Sequence, residues 1–272
     1  MNALLDNQCP LDENITKLIL GGLISVGLFA SYIPQVYKLF QTKTSEGLSI
    51  WFLFLGCLGV TSTFFNVLLL QFNVVQCCTH AWSPLLCAEN SMGLVQTAVG
   101  LFCFIVIFAL FFYFYPQDQK VTHLRSSVTG EIRQVLSKGY REDIYIGVAN
   151  LLYILVAAIT ATVLLVGQLD VQWVAGAFGL IALLGSLFQF IPQIWQTWTT
   201  RSVGALSVPM ILIQCPGAFA FAYSLFIQPN TNWTSWASYF AAGVLQVVLL
   251  IICVFFTKKS PEDQAAARPL LH

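Results

Sequence analysis

A proline inside an apolar helix removes one backbone hydrogen bond and frees a carbonyl, and a glutamine beside it supplies an amide that both donates and accepts. The sequence makes this pairing at Pro34-Gln35 and again at Pro192-Gln193. The chemistry on offer is a bend with a neutral hydrogen-bonding group attached, which can serve the freed carbonyl or a neighbouring helix, for about 1 kcal/mol in a membrane. Pro34, Gln35, Pro192 and Gln193 are therefore read as hinge residues. The other polar groups within apolar stretches are also uncharged: Asn66, Gln96, Asn150, Gln189, Gln214, Tyr223, Ser224 and Gln246. Groups of this kind recognise a solute by hydrogen bonds, or tie helices to one another. Seven of them, Asn66, Gln96, Gln189, Gln214, Tyr223, Ser224 and Gln246, are the candidate solute-binding residues. The apolar stretches hold no carboxylate pair, no His cluster at metal-ligand spacing and no nucleophile with a base, so no enzyme, cofactor or metal site is expected.

The Pro-Gln pairs belong to a larger repeat. At an offset of 158 positions Gly21 meets Gly179, Gly27 meets Gly185, Thr42 meets Thr200, Lys43 meets Arg201 and Leu48-Ser49 meet Leu206-Ser207. Cys57 and Gly59 likewise meet Cys215 and Gly217, and at an offset of 150 Gln96 and Cys103 meet Gln246 and Cys253. One unit is carried twice, and a repeat constrains a fold before any element is assigned.

The elements that position these residues follow from composition. Of 272 residues 57% are hydrophobic and 9% charged, against about 25% charged in a soluble domain. Crossing a bilayer takes about 20 mostly apolar residues as a helix. Seven stretches qualify, at 17–40, 48–71, 92–115, 144–166, 172–198, 204–227 and 235–256. Continuous rather than alternating apolar runs exclude strands from these spans, so the expected class is all-α, a seven-helix membrane protein. Residues 17–115 and 172–256 make two three-helix bundles, and 144–166 is an inverting linker that lets both point the same way, a 3+1+3 arrangement. Parallel repeats of this kind build transporters with a solute site between the halves. The segments 1–16, 116–143 and 257–272 fall outside the membrane, the middle one read as a solvated linker.

Orientation follows from Lys and Arg, which gather on the cytosolic side. All twelve except Lys17 flank the first, third and fifth connections or follow the last helix, which places the N-terminus in the lumen and the C-terminus in the cytosol. The sequons at Asn14 and Asn232 and the cysteines Cys9, Cys77, Cys78 and Cys87 then lie on the lumenal side, where glycans and disulfides persist. A bridge from Cys87 to Cys77 or to Cys78 would staple the second connection. Net charge is zero, so nothing points to nucleic acid, and the expected partners are a small-molecule solute and the lipid bilayer, with the oligomeric state open.

Pro34-Gln35 with Lys43-Thr44-Ser45-x-Gly47-Leu48-Ser49, repeated as Pro192-Gln193 with Arg201-Ser202-x-x-x-Leu206-Ser207, resembles the PQ-loop family, which includes a lysosomal cystine exporter and is related to the SWEET sugar transporters. The resemblance implies alternating access through bending of the Pro-Gln helices, in an endomembrane, vacuolar or lysosomal. Proton-coupled members have an aspartate where this chain has Gln214, and every acidic residue here is expected in a loop or tail. The expectation is a facilitator for a small neutral or zwitterionic solute, amino-acid-like or sugar-like. A seven-span receptor or nutrient sensor and a lipid scramblase are the alternatives, and the internal repeat argues against the receptor.

Overall fold

A computed structural model describes residue 9 and residues 15–125, 132–226 and 233–257. The chain begins with α1 (Ile15–Thr42), α2 (Ile50–Leu70), α3 (Phe72–His80) and α4 (Pro84–Tyr113). A short α5 (Gln117–Lys120) leads into an antiparallel ribbon of β1 (Val121–Arg125) and β2 (Ile132–Leu136). There follow α6 (Lys138–Val166), α7 (Gln172–Phe188), α8 (Phe190–Thr200), α9 (Val208–Phe226) and α10 (Trp233–Thr257).

Serine sets several of the starts. The hydroxyls of Ser49, Ser83 and Ser137 accept from the amides of Phe52, Leu86 and Tyr140, capping α2, α4 and α6. The Ser83 cap, with Pro84 in the first turn, begins α4 eight residues ahead of the expected 92. That earlier start corrects one expectation: Glu89 lies within α4 and is buried, so acidic residues are not confined to loops and tails. The 116–143 segment is likewise more than a solvated linker. Val121, Thr122, Ile132 and Val135 favour extended backbone, and the ribbon pairs Val121 with Leu136 through Arg125 with Ile132.

Six stretches are long and apolar enough to cross a membrane among the described residues, namely Gly21–Thr42, Ile50–Leu70, Pro84–Tyr113, Lys138–Val166, Gln172–Thr200 and Tyr239–Phe256. The expected span at 204–227 corresponds to α9, which starts after the Ser207 turn and runs 19 residues to Phe226. Exposed apolar side chains such as Leu151, Leu155, Ile159 and Val163 on one side of α6 suit hydrocarbon rather than water.

Packing is reciprocal. In each repeat the third helix (α4 or α10) lies against the other two, and between repeats α2 packs on α7 and α8 while α9 packs on α1. The linker α6 packs on α2. A central cluster joins both repeats through Tyr32, Leu39, Phe52, Leu53, Phe104, Phe190, Leu206, Met210 and Leu249, and a second lies under α6 at Phe65, Ala157, Ala161 and Phe178. The α2–α7 crossing is close: a Cβ on Gly185 would meet the Gly59 Cα at 3.1 Å. At the equivalent α1–α9 crossing, Gly27 and Gly217 meet nothing within 4 Å among the described residues. The two repeat interfaces thus differ in tightness at matching depth.

Two disulfides, Cys9–Cys77 and Cys78–Cys87, tie the N-terminal segment and the start of α4 to α3. Of the two bridges left open for Cys87, the structure makes the one to Cys78. Cys57, Cys103, Cys215 and Cys253 are outside any disulfide and buried within helices.

Candidate functional site

The Pro-Gln pairs converge where the chain leaves α1 and α8. Pro34 interrupts the hydrogen-bond ladder within a continuous α1, whereas the helix carrying Pro192 is broken at Gln189, between α7 and α8. Each helix ends in a left-handed residue, Lys43 (φ 51°) and Arg201 (φ 49°), which turns the chain into a short loop that ends at a capping serine. The loops 43–49 and 201–207 lie against each other. Ala205 N donates to Glu46 O at 2.7 Å, and a Cβ on Gly47 would fall 2.6 Å from the Gly204 Cα. Both glycines have positive φ, 85° and 53°, so space and backbone conformation alike exclude a larger residue there.

The glutamines reach into the opposite repeat. Gln35 Nε2 donates to Ala205 O at 2.9 Å, and its Oε1 accepts from Ser207 N at 2.6 Å. Gln193 Nε2 donates to Gly47 O at 3.1 Å, and its Oε1 accepts from Ser49 N at 2.9 Å. Gly47 and Ser49 are the repeat equivalents of Ala205 and Ser207, so the two sets of bonds are one pattern written twice. Both glutamines are essentially fully buried, at 1% and 0% exposure, so every polar atom at the crossing depends on its partner. Each amide thus serves the other repeat's loop rather than the carbonyl freed by its own proline. The central space above the crossing, lined by Gln35, Phe52, Leu53, Phe104, Ile107 and Met210, measures about 10 Å³, too little for more than one water. The crossing is shut.

Deeper in the bundle the repeats pair again with their side chains exchanged. Gln214 Nε2 on α9 donates to Ser31 Oγ on α1 at 3.1 Å. At the equivalent place the long side chain is on the first helix: Gln189 Oε1 lies 3.0 Å from where Gly56 would carry a Cβ. These four positions bring Gln189 and Gln214 to matching sites beside the interface. Asn66 and Gln96 donate to backbone carbonyls of neighbouring helices, Ala175 O at 2.7 Å and Gly21 O at 3.2 Å. Gln246 is buried, and its Oε1 has no partner among the described residues. Tyr223 is 65% exposed on the outer face of α9, away from any interior site. The Ser224 side chain and the sequons Asn14 and Asn232 lie outside the described residues.

Sequence reasoning missed the exchange between repeats, although the recurring Leu-Ser after each Pro-Gln was its signal. It also passed over Lys38, one turn beyond Gln35, whose Nζ donates to Leu206 O at 2.5 Å. No group of three or more metal-binding side chains occurs among the described residues.

A twofold-repeated set of apolar helices, tied at one end by exchanged amides, defines a multi-pass helical membrane protein built from two like units. The PQ loop repeat matches residues 18–76 and 174–234, the two stretches that supply the glutamines and the loops they bind. An uncharacterized protein of Schizosaccharomyces pombe is 31% identical over 259 residues, 93% of this chain and 84% of the relative. A vacuolar lysine transporter of Saccharomyces cerevisiae is 32% identical over 118 residues, 42% of this chain and 35% of that protein. The chain belongs to the PQ-loop repeat family.

Proposed function

We propose that the protein moves a small amino-acid-like solute across an endomembrane, vacuolar or lysosomal, by alternating access, and that the crossing of the two loops is its cytosolic gate. The observation that carries this reading is the reciprocal pair of glutamine locks. Each amide holds the other repeat's loop, so the bundle ends separate only if four buried hydrogen bonds break together. The basic residues beside both loops support assigning that end to the cytosol, by the positive-inside rule. The reciprocal contacts of α2 with α7 and of α9 with α1 support two parallel three-helix units, 17–115 and 172–256, joined by α6, with α9 as the seventh span. Pro34 and Pro192 are the bends, and Gln189 and Gln214 are the polar groups best placed to meet a solute between the units. The yeast relative's name makes lysine the first solute to test. Gln214 carries no titratable proton, so the transport is read as facilitated.

The deciding experiment is flux of labelled L-lysine and a panel of neutral amino acids in proteoliposomes, for the wild type, Pro34→Ala and Pro192→Ala. We expect folded variants with turnover lowered about tenfold, the size of a 1.4 kcal/mol change in barrier. Unchanged flux in both variants removes the hinge, and no flux of any amino acid in the wild type removes the substrate class.

A further inference from the structure

The twofold pattern of the gate breaks at Lys38. Its ammonium reaches across the repeat boundary to the Leu206 carbonyl, next to the Ser207 amide that Gln35 holds. The equivalent residue in the second repeat is Gln196, so the gate contains one cation that symmetry does not require. Lys38 is half-buried, and the titratable group beside it is the Cys253 thiol of α10. Among the described residues the ion pair is Lys138 with Glu142, and the carboxylate of the two loops, Glu46, is exposed and holds the Ala205 amide through its backbone oxygen. The charge is therefore held in place by a neutral acceptor, a single backbone carbonyl.

That acceptor is available only while the loops are crossed. When they part, the ammonium loses Leu206 O, its acceptor across the repeat boundary, and its donors are open to another acceptor. We propose that Lys38 binds the carboxylate of the transported solute in the open gate, so that the substrates are carboxylate-bearing solutes and not amines as such. The inference rests on the transport reading above. A ligand shifts a conformational equilibrium only through its difference in affinity for the two states. In the closed gate Lys38 is already occupied. In the open gate a carboxylate offers an ionised acceptor, which binds an ammonium more strongly than the carbonyl it replaces. A carboxylate-bearing solute thus favours opening, and the same molecule with its carboxylate capped does not.

The test compares L-lysine with L-lysinamide, which keeps the side-chain ammonium and loses the carboxylate. Binding is measured by calorimetry on the purified full-length protein, and flux in proteoliposomes. We expect the wild type to prefer L-lysine by about tenfold or more, the size of one charge-assisted hydrogen bond. Lys38→Gln, which restores the residue of the second repeat, brings the ratio close to one, and Lys38→Arg keeps it. A preference that survives Lys38→Gln overturns the proposal, as does equal or absent binding of the two compounds by the wild type. If Lys38→Gln lowers thermal stability yet leaves the ratio intact, Lys38 is a strut only and the proposal fails. Carboxylate-selective binding that depends on Lys38 without any flux leaves this inference standing and removes the transport reading; flux with a Lys38-independent preference does the reverse.

Discussion

Gln35 and Gln193 do the same work from opposite sides, and the consequence of losing either is set by what it leaves behind. Gln35→Leu strands the Ser207 amide and the Ala205 carbonyl, both buried, at a cost of about 1–3 kcal/mol for each unpaired group that water cannot reach. Thermal unfolding in detergent should show a lower midpoint for Gln35→Leu and for Gln193→Leu. A cysteine placed at Met210 should become reactive to a thiol reagent added from the gate side in both variants. Wild-type reactivity in both would mean that the glutamines do not hold the gate. Glu89 permits a separate test. A facilitator moves no protons with its solute, so a pH-jump assay should show none; if protons do move, Glu89→Gln should lower their flux, because among the described residues Glu89 is the most deeply buried carboxylate within a helix.

At the level of elements, the loops matter more than their length implies. Gly47 sits at a φ of 85° with the Gly204 backbone where a Cβ would be, so Gly47→Ala must either strain the turn or push the loops apart. Its expected signature is destabilisation of about 1–3 kcal/mol together with the same gain in cysteine reactivity, which a turn strained but still crossed would not give. Much of this was legible beforehand. The apolar runs gave most helix ends within a few residues, although α4 begins eight and α6 six residues earlier than expected, and the Pro-Gln pairs and Leu-Ser positions marked both loops as equivalent. What could not be read was the direction of the amides, because a free carbonyl on the same helix and a loop on another repeat satisfy a glutamine equally well on paper. Nor could Asn66 and Gln96 be sorted from Gln189 and Gln214. All four are neutral side chains in apolar helices, and only packing decides which of them meets a backbone carbonyl first. Glu89 was misplaced for a local reason: hydropathy sees the apolar run at 92, while the serine cap and Pro84 start the helix earlier.

On the scale of the whole molecule the two repeats are alike in plan and unlike in stiffness. The first is tied by Cys9–Cys77 and Cys78–Cys87, whereas the described cysteines of the second form no disulfide, and α9 carries Pro216 within its length. The second repeat should therefore do more of the moving. Removing the Cys78–Cys87 bridge, which closes 9 residues, should lower stability by roughly 2–3 kcal/mol in the chain-entropy account. Calorimetry of a Cys78→Ser, Cys87→Ser double variant would measure it. If the stiffness of the first repeat matters to transport, that variant should also turn over at a changed rate, and unaltered flux would assign the bridges to folding alone. Each repeat holds both a glutamine and the loop that fits one, so the gate surface is self-complementary. Two copies of a single unit, facing each other about a twofold axis, would contain every group needed to shut the same door; joining them in one chain adds the freedom to make the leaves different, and Lys38 is where that freedom has been used.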